Sequence, residues 1–272
     1  MQPMVNIALR AARQAGQIML RAMDRLESLD VQEKQHNDFV SNVDREAEAA
    51  IIDVLHKAYP EHGILGEENG VAYSGSSAGG DSEFTWIIDP LDGTTNYLQG
   101  IPHFCVSIAL QHERRLEHGL IFDPLRNEVF SASRGHGAQL NGKRIRVSAT
   151  TRLQEAVLCT GIPPGAIKPH LDAYMDMLKE FTATCRGIRR AGSAALDLAY
   201  VAAGRMDGFW EFSLSPWDIA AGAVLVREAG GFVGEPSGGD EFMRKGHIVA
   251  ANAKIFKLMV QHLRPHLTAD LR

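Results

Sequence analysis

Asp89 and Asp92 stand three residues apart in the run Trp86-Ile87-Ile88-Asp89-Pro90-Leu91-Asp92-Gly93-Thr94-Thr95-Asn96. Hard oxygen donors so spaced suit Mg²⁺, which is usually held by one or two carboxylates together with phosphate oxygens rather than by a complete protein cage. Pro90 stiffens the turn and has no amide hydrogen, whereas Leu91 to Thr95 can aim successive N–H groups inward as an anion-binding concavity. A helix starting there would strengthen it. The apolar Trp-Ile-Ile run reads as a buried strand that delivers both carboxylates to its carboxyl end, where α/β sheets gather their sites. An acidic turn closing a strand uses the same residue types, so the surroundings must decide.

Two further acidic segments bear on that choice. Glu67 and Glu68 close a short strand-like run, Gly63 to Gly66. Asp218 follows Pro216 and Trp217 at the head of a small-residue helix, Ile219-Ala220-Ala221-Gly222. A carboxylate in that position either stabilises the helix N-terminus or binds metal. The same two readings apply to Asp44, in the first turn of a helix expected from Val43 to about Tyr59, which Ser41 or Asn42 can cap and Pro60 ends.

The elements that must position these groups follow from periodicity. Val5, Leu9, Ala12, Ala15, Met19, Ala22 and Leu26 give an amphipathic first helix, with Arg10, Arg13 and Arg21 on its other side. Ser74 to Gly80 is a Gly/Ser-rich loop without periodicity. Phe104–Gln111, Leu116–Phe122 and Glu128–Ala132 read as an antiparallel meander, and Asn141-Gly142 is a two-residue hairpin signal. From about Ala156 strands and helices alternate. Strands are expected near Ala156–Thr160, Arg186–Ile188, Met206–Phe212, Phe232–Val233 and His247–Ala250. Helices are expected near Lys168–Phe181, Ser193–Ala203, Trp217–Glu228 and Ala253–Leu263. The chain thus divides softly near residue 150. An N-terminal α+β half, 1–150, carries Glu67 and the Asp89/Asp92 motif, and a C-terminal α/β half, 151–272, carries Asp218, the two forming one compact catalytic unit.

Composition narrows the classes. With 272 residues, 45% apolar, 22% charged and a formal charge of -5, the chain is an ordinary globular protein without the global basic field of a nucleic-acid binder. A local RNA-binding patch stays compatible with that balance. No leader-like n- and h-regions open the chain and no run of about 18 apolar residues occurs, so a cytoplasmic location and no membrane partner are expected. Cys105, Cys159 and Cys185 lack metal-ligand spacing and fit reduced thiols. The histidines form no ligand set.

Gly66-Glu67-Glu68, the Trp86–Asn96 run and Trp217-Asp218-Ile219-Ala220-Ala221-Gly222 resemble the signature segments of the inositol monophosphatase family, and the resemblance covers essentially the whole chain. The stretches Met1–Arg13 and Arg189–Arg205 are similar to bacterial SuhB-type members. The resemblance implies an α/β layered αβαβα sandwich of the inositol monophosphatase and fructose-1,6-bisphosphatase type. It implies Mg²⁺-dependent, lithium-sensitive hydrolysis of inositol 1-phosphate and related polyol monophosphates by metal-activated water, in a homodimer. Carried over, Glu67, Asp89 and the Leu91 carbonyl bind one Mg²⁺ and Asp89, Asp92 and Asp218 a second, with Glu67 serving a third: two to three ions per site. Glu67 and Thr94 orient or deprotonate the water, and Asp44 supports them from behind. Gly93 and Thr94 hold phosphate beside Asp92 and Asp218, while Gly192, Ser193, Ala194 and Glu211 contact the polyol. Lys34 matches a lysine of an active-site loop.

Charge chemistry agrees: these carboxylates would repel one another and a phosphomonoester unless divalent cations compensated them. Three departures bear on substrate preference. Ser193 replaces a common threonine, Asn69 stands where serine is frequent, and the Lys34–Asp44 stretch is one residue shorter than in animal relatives. A haloacid-dehalogenase-type phosphatase would phosphorylate the first Asp of Asp-x-Asp-Gly-Thr. The spacing here, Asp-x-x-Asp-Gly-Thr, favours direct attack by water. The alternative function comes from the same resemblance, because SuhB-type relatives are associated with RNA polymerase and Nus-factor antitermination complexes in ribosomal RNA synthesis. Arg186, Arg189, Arg190 and Arg205 are the candidate partner surface, and a solvated basic face is their ordinary reading.

Overall fold

Val5, Ala8, Ala12, Ala15 and Met19 recur at helical spacing and form the buried side of α1 (Pro3–Met23) in the computed structural model, which describes residues 2–24, 26, 31–35, 38–73, 82–162 and 168–272. A two-stranded antiparallel hairpin, β1 (Val31–Gln35) and β2 (Asp38–Ser41), then leads into α2 (Asn42–Ala58). Lys34 lies on β1, and its side chain is outside the described residues. The Gly/Ser-rich Ser74–Gly80 stretch also falls outside them.

An eight-stranded sheet comes next. It comprises β3 (Gly63–Gly66), β4 (Gly70–Tyr73), β5 (Phe84–Asp92), β6 (Cys105–His112), β7 (Arg115–Asp123), β8 (Glu128–Ser133), β9 (Gly137–Leu140) and β10 (Lys143–Arg144). A short helix, α3 (Thr94–Leu98), interrupts it after β5. The spatial order is β10-β9-β8-β7-β6-β5-β3-β4, and β3 alongside β5 is its one parallel pair. The expected meander is β6-β7-β8. At the expected hairpin both Asn141 (φ 49) and Gly142 (φ 76) take the left-handed conformation that a two-residue turn of that kind demands.

The rest of the chain builds a five-stranded mixed sheet in the order β12-β11-β13-β15-β14. Its elements are β11 (Val157–Thr160), α4 (Leu171–Thr184), β12 (Gly187–Arg189), α5 (Ala194–Ala202), β13 (Gly208–Glu211), α6 (Pro216–Glu228), β14 (Phe232–Gly234), α7 (Phe242–Lys245), β15 (Ile248–Ala251) and α8 (Ala253–Leu263). β12, β11 and β13 run parallel, while β15 opposes both β13 and β14.

Strand alternation assigns the layers. On β5, Trp86 and Ile88 pack with α1 and α2 against one face of the large sheet, and Ile87 between them packs with α5 and α6 on the other. A strand covered on both faces has no position for a polar residue, which is why the run is continuously apolar. The inner pair α5 and α6 also covers Cys159, Phe209, Ile248 and Ala250 of the small sheet, and α4 and α8 close its far face over Leu158, Trp210 and Val249. The order is therefore α, β, α, β, α, as expected. Small inner-layer residues let the backbones meet: a β-carbon on Gly119 of β7 would lie 2.5 Å from the Ala221 carbonyl oxygen of α6. Truncating a residue as enclosed as Trp86 to alanine would cost about 3–5 kcal/mol. No described helix is long and apolar enough to cross a membrane.

Candidate active site

β3 and β5 run parallel with Gly66 opposite Ile88, so their carboxyl ends emerge side by side and the next residues, Glu67 and Asp89, become neighbours. The Glu67 N–H donates to the Ile88 carbonyl at 3.2 Å. Asp89 and Asp92 would face opposite ways on a regular strand. Against β6, however, Asp89 pairs with Ser107 and Asp92 with Cys105, three steps matched by two. This bulge, in which Pro90 has no ladder donor to lose, turns both carboxylates toward the inner layer. Asp89 Oδ1 accepts the Leu91 N–H at 2.9 Å and holds the turn. Gly93 then adopts φ 99 with its α-carbon edge against the His103 and Gly192 carbonyls, where a side chain would fit in neither conformation nor space. Thr94 Oγ lies 3.1 Å from Asp44 Oδ1 and 3.0 Å from the Leu91 carbonyl. Asn96 Nδ2 donates to the His103 and Ala191 carbonyls, both at 2.8 Å, and so ties the turn to the loop before α5.

That loop brings in the expected polyol contacts, Gly192, Ser193 and Ala194. Gly192 takes φ 92, and Ser193 caps α5 by accepting the Leu196 N–H. The Ser193 hydroxyl donates to Asp92 Oδ2 at 2.5 Å and the Ala195 N–H does so at 2.8 Å, with the Ala194 N–H and the Cys105 thiol also on this carboxylate. Asp92 therefore sits on the N-terminus of α5. Asp218 shows that the two readings of a helix-head carboxylate are compatible. Its Oδ2 accepts the Ser215 N–H at 2.7 Å as a helix cap, and its charge still reaches Asp89 and Glu211.

The electrostatics of the two aspartates diverge. Asp89 is pushed well above the usual carboxylate range, by burial first, then by Glu67, Asp92 and Asp218, and by a hydrogen bond with Glu67. Asp92 is raised by burial too, but the Ser193, Ala195, Ala194 and Cys105 donors oppose the rise. Glu211, at the end of β13, is buried and is pushed well up by burial, Asp197, Asp218 and Asp92, against Arg190. Its carboxyl lies over Gly161, where any β-carbon would collide with it. It is thus no strand-edge surface charge. Among the described residues, no three His, Cys, Asp or Glu side chains already close a metal-ligand shell. Asp89, Asp92 and Asp218 are instead held apart by backbone and hydroxyl donors within Coulombic reach of one another.

Two buried acids, Glu48 and Asp197, escaped the sequence reading, whereas Cys105 is the buried thiol expected. Glu48 of α2, fully buried, accepts the Glu68 N–H (3.0 Å), the Asn69 N–H (2.9 Å) and Asn69 Nδ2 (2.7 Å), and so clamps the turn that presents Glu67. A β-carbon on Gly66 would lie 2.5 Å from Glu48 Oε2. Nothing in Ala47-Glu48-Ala49 distinguishes this glutamate from a surface acid. Asp197 of α5 is buried, pushed well up by burial and then by Asp92, and its Oδ1 has no hydrogen-bond partner among the described residues. An acid between Leu196 and Leu198 was a legible signal. Cys105 lies between Asp92 and Ser193, its thiol pushed well up by burial.

The four arginines do not form one free group. Arg205 is clasped by Glu128, with Nη1 at 2.6 Å from Oε2, and lies over Tyr200 and Phe130. Arg190 reaches the Ile162 carbonyl at 3.3 Å and faces Glu211 and Asp197 electrostatically. Arg186 and Arg189 are exposed on and beside β12.

A layered α/β fold with carboxylates at parallel strand ends and a glycine turn against a helix N-terminus defines the class, and the chain belongs to the inositol monophosphatase family, whose pattern residues 1–268 match. It is 54% identical over 273 residues to the Nus factor SuhB of Pseudomonas aeruginosa, with all of both chains covered. The crystal structure of the extragenic suppressor protein suhB from Bartonella henselae superposes with TM-score 0.93 at 44% identity, covering 98% of this chain and 100% of that one. The IMPase of Thermotoga maritima follows at TM-score 0.87 and 33% identity, covering 97% and 98%.

Proposed function

We propose that this chain is a cytoplasmic Nus factor of the SuhB kind, joining RNA polymerase and other Nus factors during ribosomal RNA synthesis, on a frame that keeps a Mg²⁺-dependent phosphomonoesterase site. End-to-end identity of 54% with a named Nus factor carries the first part. The sequence expectation put hydrolysis first and transcription second, and the relative's name supports the reverse order.

Hydrolysis rests on Asp89 and its neighbours. The donor set is all oxygen, as Mg²⁺ prefers, and the crowd of carboxylates around a buried Asp89 needs nearby positive charge to stay ionised. Glu67, Asp89 and the Leu91 carbonyl would hold one ion, Asp89, Asp92 and Asp218 a second, and Glu67 a third. When bound, these ions lower the pKa of the attacking water and stabilise charge on the phosphoryl and leaving oxygens. The protein's own groups do the rest. Glu67 receives the water proton, and the Thr94 hydroxyl, set between Asp44 and the Leu91 carbonyl, orients that water. The Gly93 and Thr94 amides hold the phosphate, and Glu211 accepts from a hydroxyl of inositol 1-phosphate or a related polyol ester. Asp89 is not the nucleophile. Light scattering should return a homodimer.

Asp89→Asn tests both parts. Phosphate release from inositol 1-phosphate should be Mg²⁺-dependent, Li⁺-sensitive and lost in the variant, and acid-quenched turnover should leave no aspartyl phosphate. Cells carrying only Asp89→Asn should grow and sustain ribosomal antitermination normally. A null phenotype would make hydrolysis the selected role.

A further inference from the structure

One face of α1 is used by neither reading. The 21-residue helix carries Arg10, Arg13 and Arg21 and no acidic residue, in a chain whose acids outnumber its lysines and arginines by 33 to 28. Arg10, Gln14, Gln17 and Arg21 follow at intervals of four, three and four residues, the spacing of one helix face, with Arg13 beside them, and all five are exposed. Among the described residues no carboxylate pairs with any of the three arginines. They rim an open groove of about 660 Å³ floored by Leu9 and Ile18, with Glu46 of α2 the one acid among its described lining residues. From Arg10 to Arg21 the helix rises about 16 Å.

We propose that this face of α1 binds the phosphate backbone of a single-stranded RNA. Guanidinium groups take phosphate oxygens in bidentate pairs, and the glutamine amides between them can donate to phosphate or ribose oxygens. A surface helix built for solubility alone would mix charge signs through Glu–Arg pairs a turn apart, and α1 has none. Among its described lining residues the groove has no aromatic platform for bases, so recognition rests on the backbone and tolerates sequence. The setting of this proposal, a transcription complex, rests on the Nus-factor reading, whereas its chemistry rests on α1.

The test is fluorescence anisotropy of the full chain with a short, unstructured, labelled RNA across a salt series. Three phosphate contacts predict that the logarithm of affinity falls against the logarithm of salt with a slope of about -2. The variant Arg10→Gln/Arg13→Gln/Arg21→Gln should bind at least about tenfold more weakly and lose most of that slope. Its melting temperature and phosphate release should match wild type. Unchanged RNA affinity in the variant overturns the proposal, as does a polyglutamate peptide that binds this face while the RNA does not. Co-purification of wild type with RNA polymerase is scored separately. Its failure removes the Nus-factor reading and leaves the anisotropy result standing.

Discussion

Like charges gather at the ends of β3 and β5 and again along α1, and the surroundings give these two gatherings opposite meanings. At the ends of β3 and β5, Glu67, Asp89, Asp92 and Asp218 press together around a carboxylate that is only 2% exposed. On α1, three arginines stand in water. Repulsion between unit charges about 4 Å apart is near 1 kcal/mol in water and about 4 kcal/mol at the effective dielectric of protein. The buried group is therefore unstable when fully ionised and calls for a compact, highly charged counter-ion at one point. The arginines repel weakly, are screened beyond about 8–10 Å, and become strong only against a partner that presents several negative charges in a row. Burial turns a like-charge cluster into a site for an ion, and exposure turns it into a surface for a polymer.

The largest effect should come from removing the centre of the buried cluster. Asp89→Asn should lower the rate of phosphate release on the order of a thousandfold or more, because in the proposed site it withdraws the ligand that two ions would share. At a pH above its raised value, where Asp89 is ionised, the same change should raise the melting temperature in the absence of Mg²⁺, since it removes the charge that three neighbours oppose. A fall instead would mean that the crowding is not repulsive.

A pH series sharpens the point. The folded-state values of Asp89, Asp197 and Glu211 are raised, so the folded chain holds protons that the unfolded chain has released. Their stabilising contribution is complete below the ordinary carboxylate range, near pH 4, and is lost as pH climbs through the raised values. Without divalent cation the melting temperature should fall as pH climbs above the ordinary carboxylate range and through the raised values, and the protection given by Mg²⁺ should grow over the same climb. A flat profile in calorimetry would break the comparison.

A smaller effect is expected at the clamp behind Glu67. Asn69→Ala removes a donor from buried Glu48 and should cost about 1.5–3 kcal/mol, read from the urea midpoint, while raising the Mg²⁺ concentration for half-maximal activity. An unchanged Mg²⁺ dependence would reduce the clamp to a structural role. The smallest effect belongs to the α1 triple glutamine variant, whose stability should stay within about 0.5 kcal/mol of wild type.

What could be read from the sequence depended on the range of the cause. α8 begins at Ala253 and ends at Leu263, as expected, because the Asn252 side chain caps it locally by accepting the Lys254 and Ile255 N–H groups. The Asn141-Gly142 hairpin and the β5 turn are local in the same sense. β4 was missed because Gly70–Tyr73 is a strand only by virtue of β3 beside it. Glu48 and Asn69 were missed as a pair because their meeting spans 21 residues and depends on where the β3–β4 turn lands. Of the candidate site, the carboxylates on the turn and the helix head were legible as types at motif spacing. The bulge that brings Asp89 and Asp92 to one face was not, since it exists only in the register with β6.

The hydrogen bonds from Ser193 and Ala195 to Asp92 cross from one half of the chain to the other. Asp92 is therefore a rivet, and deleting it would loosen the seam between the large sheet and the helices beneath it. A lineage that ceased to need turnover would still be selected to keep that rivet and the glycines around it. The motif therefore serves the fold whether or not it serves a reaction.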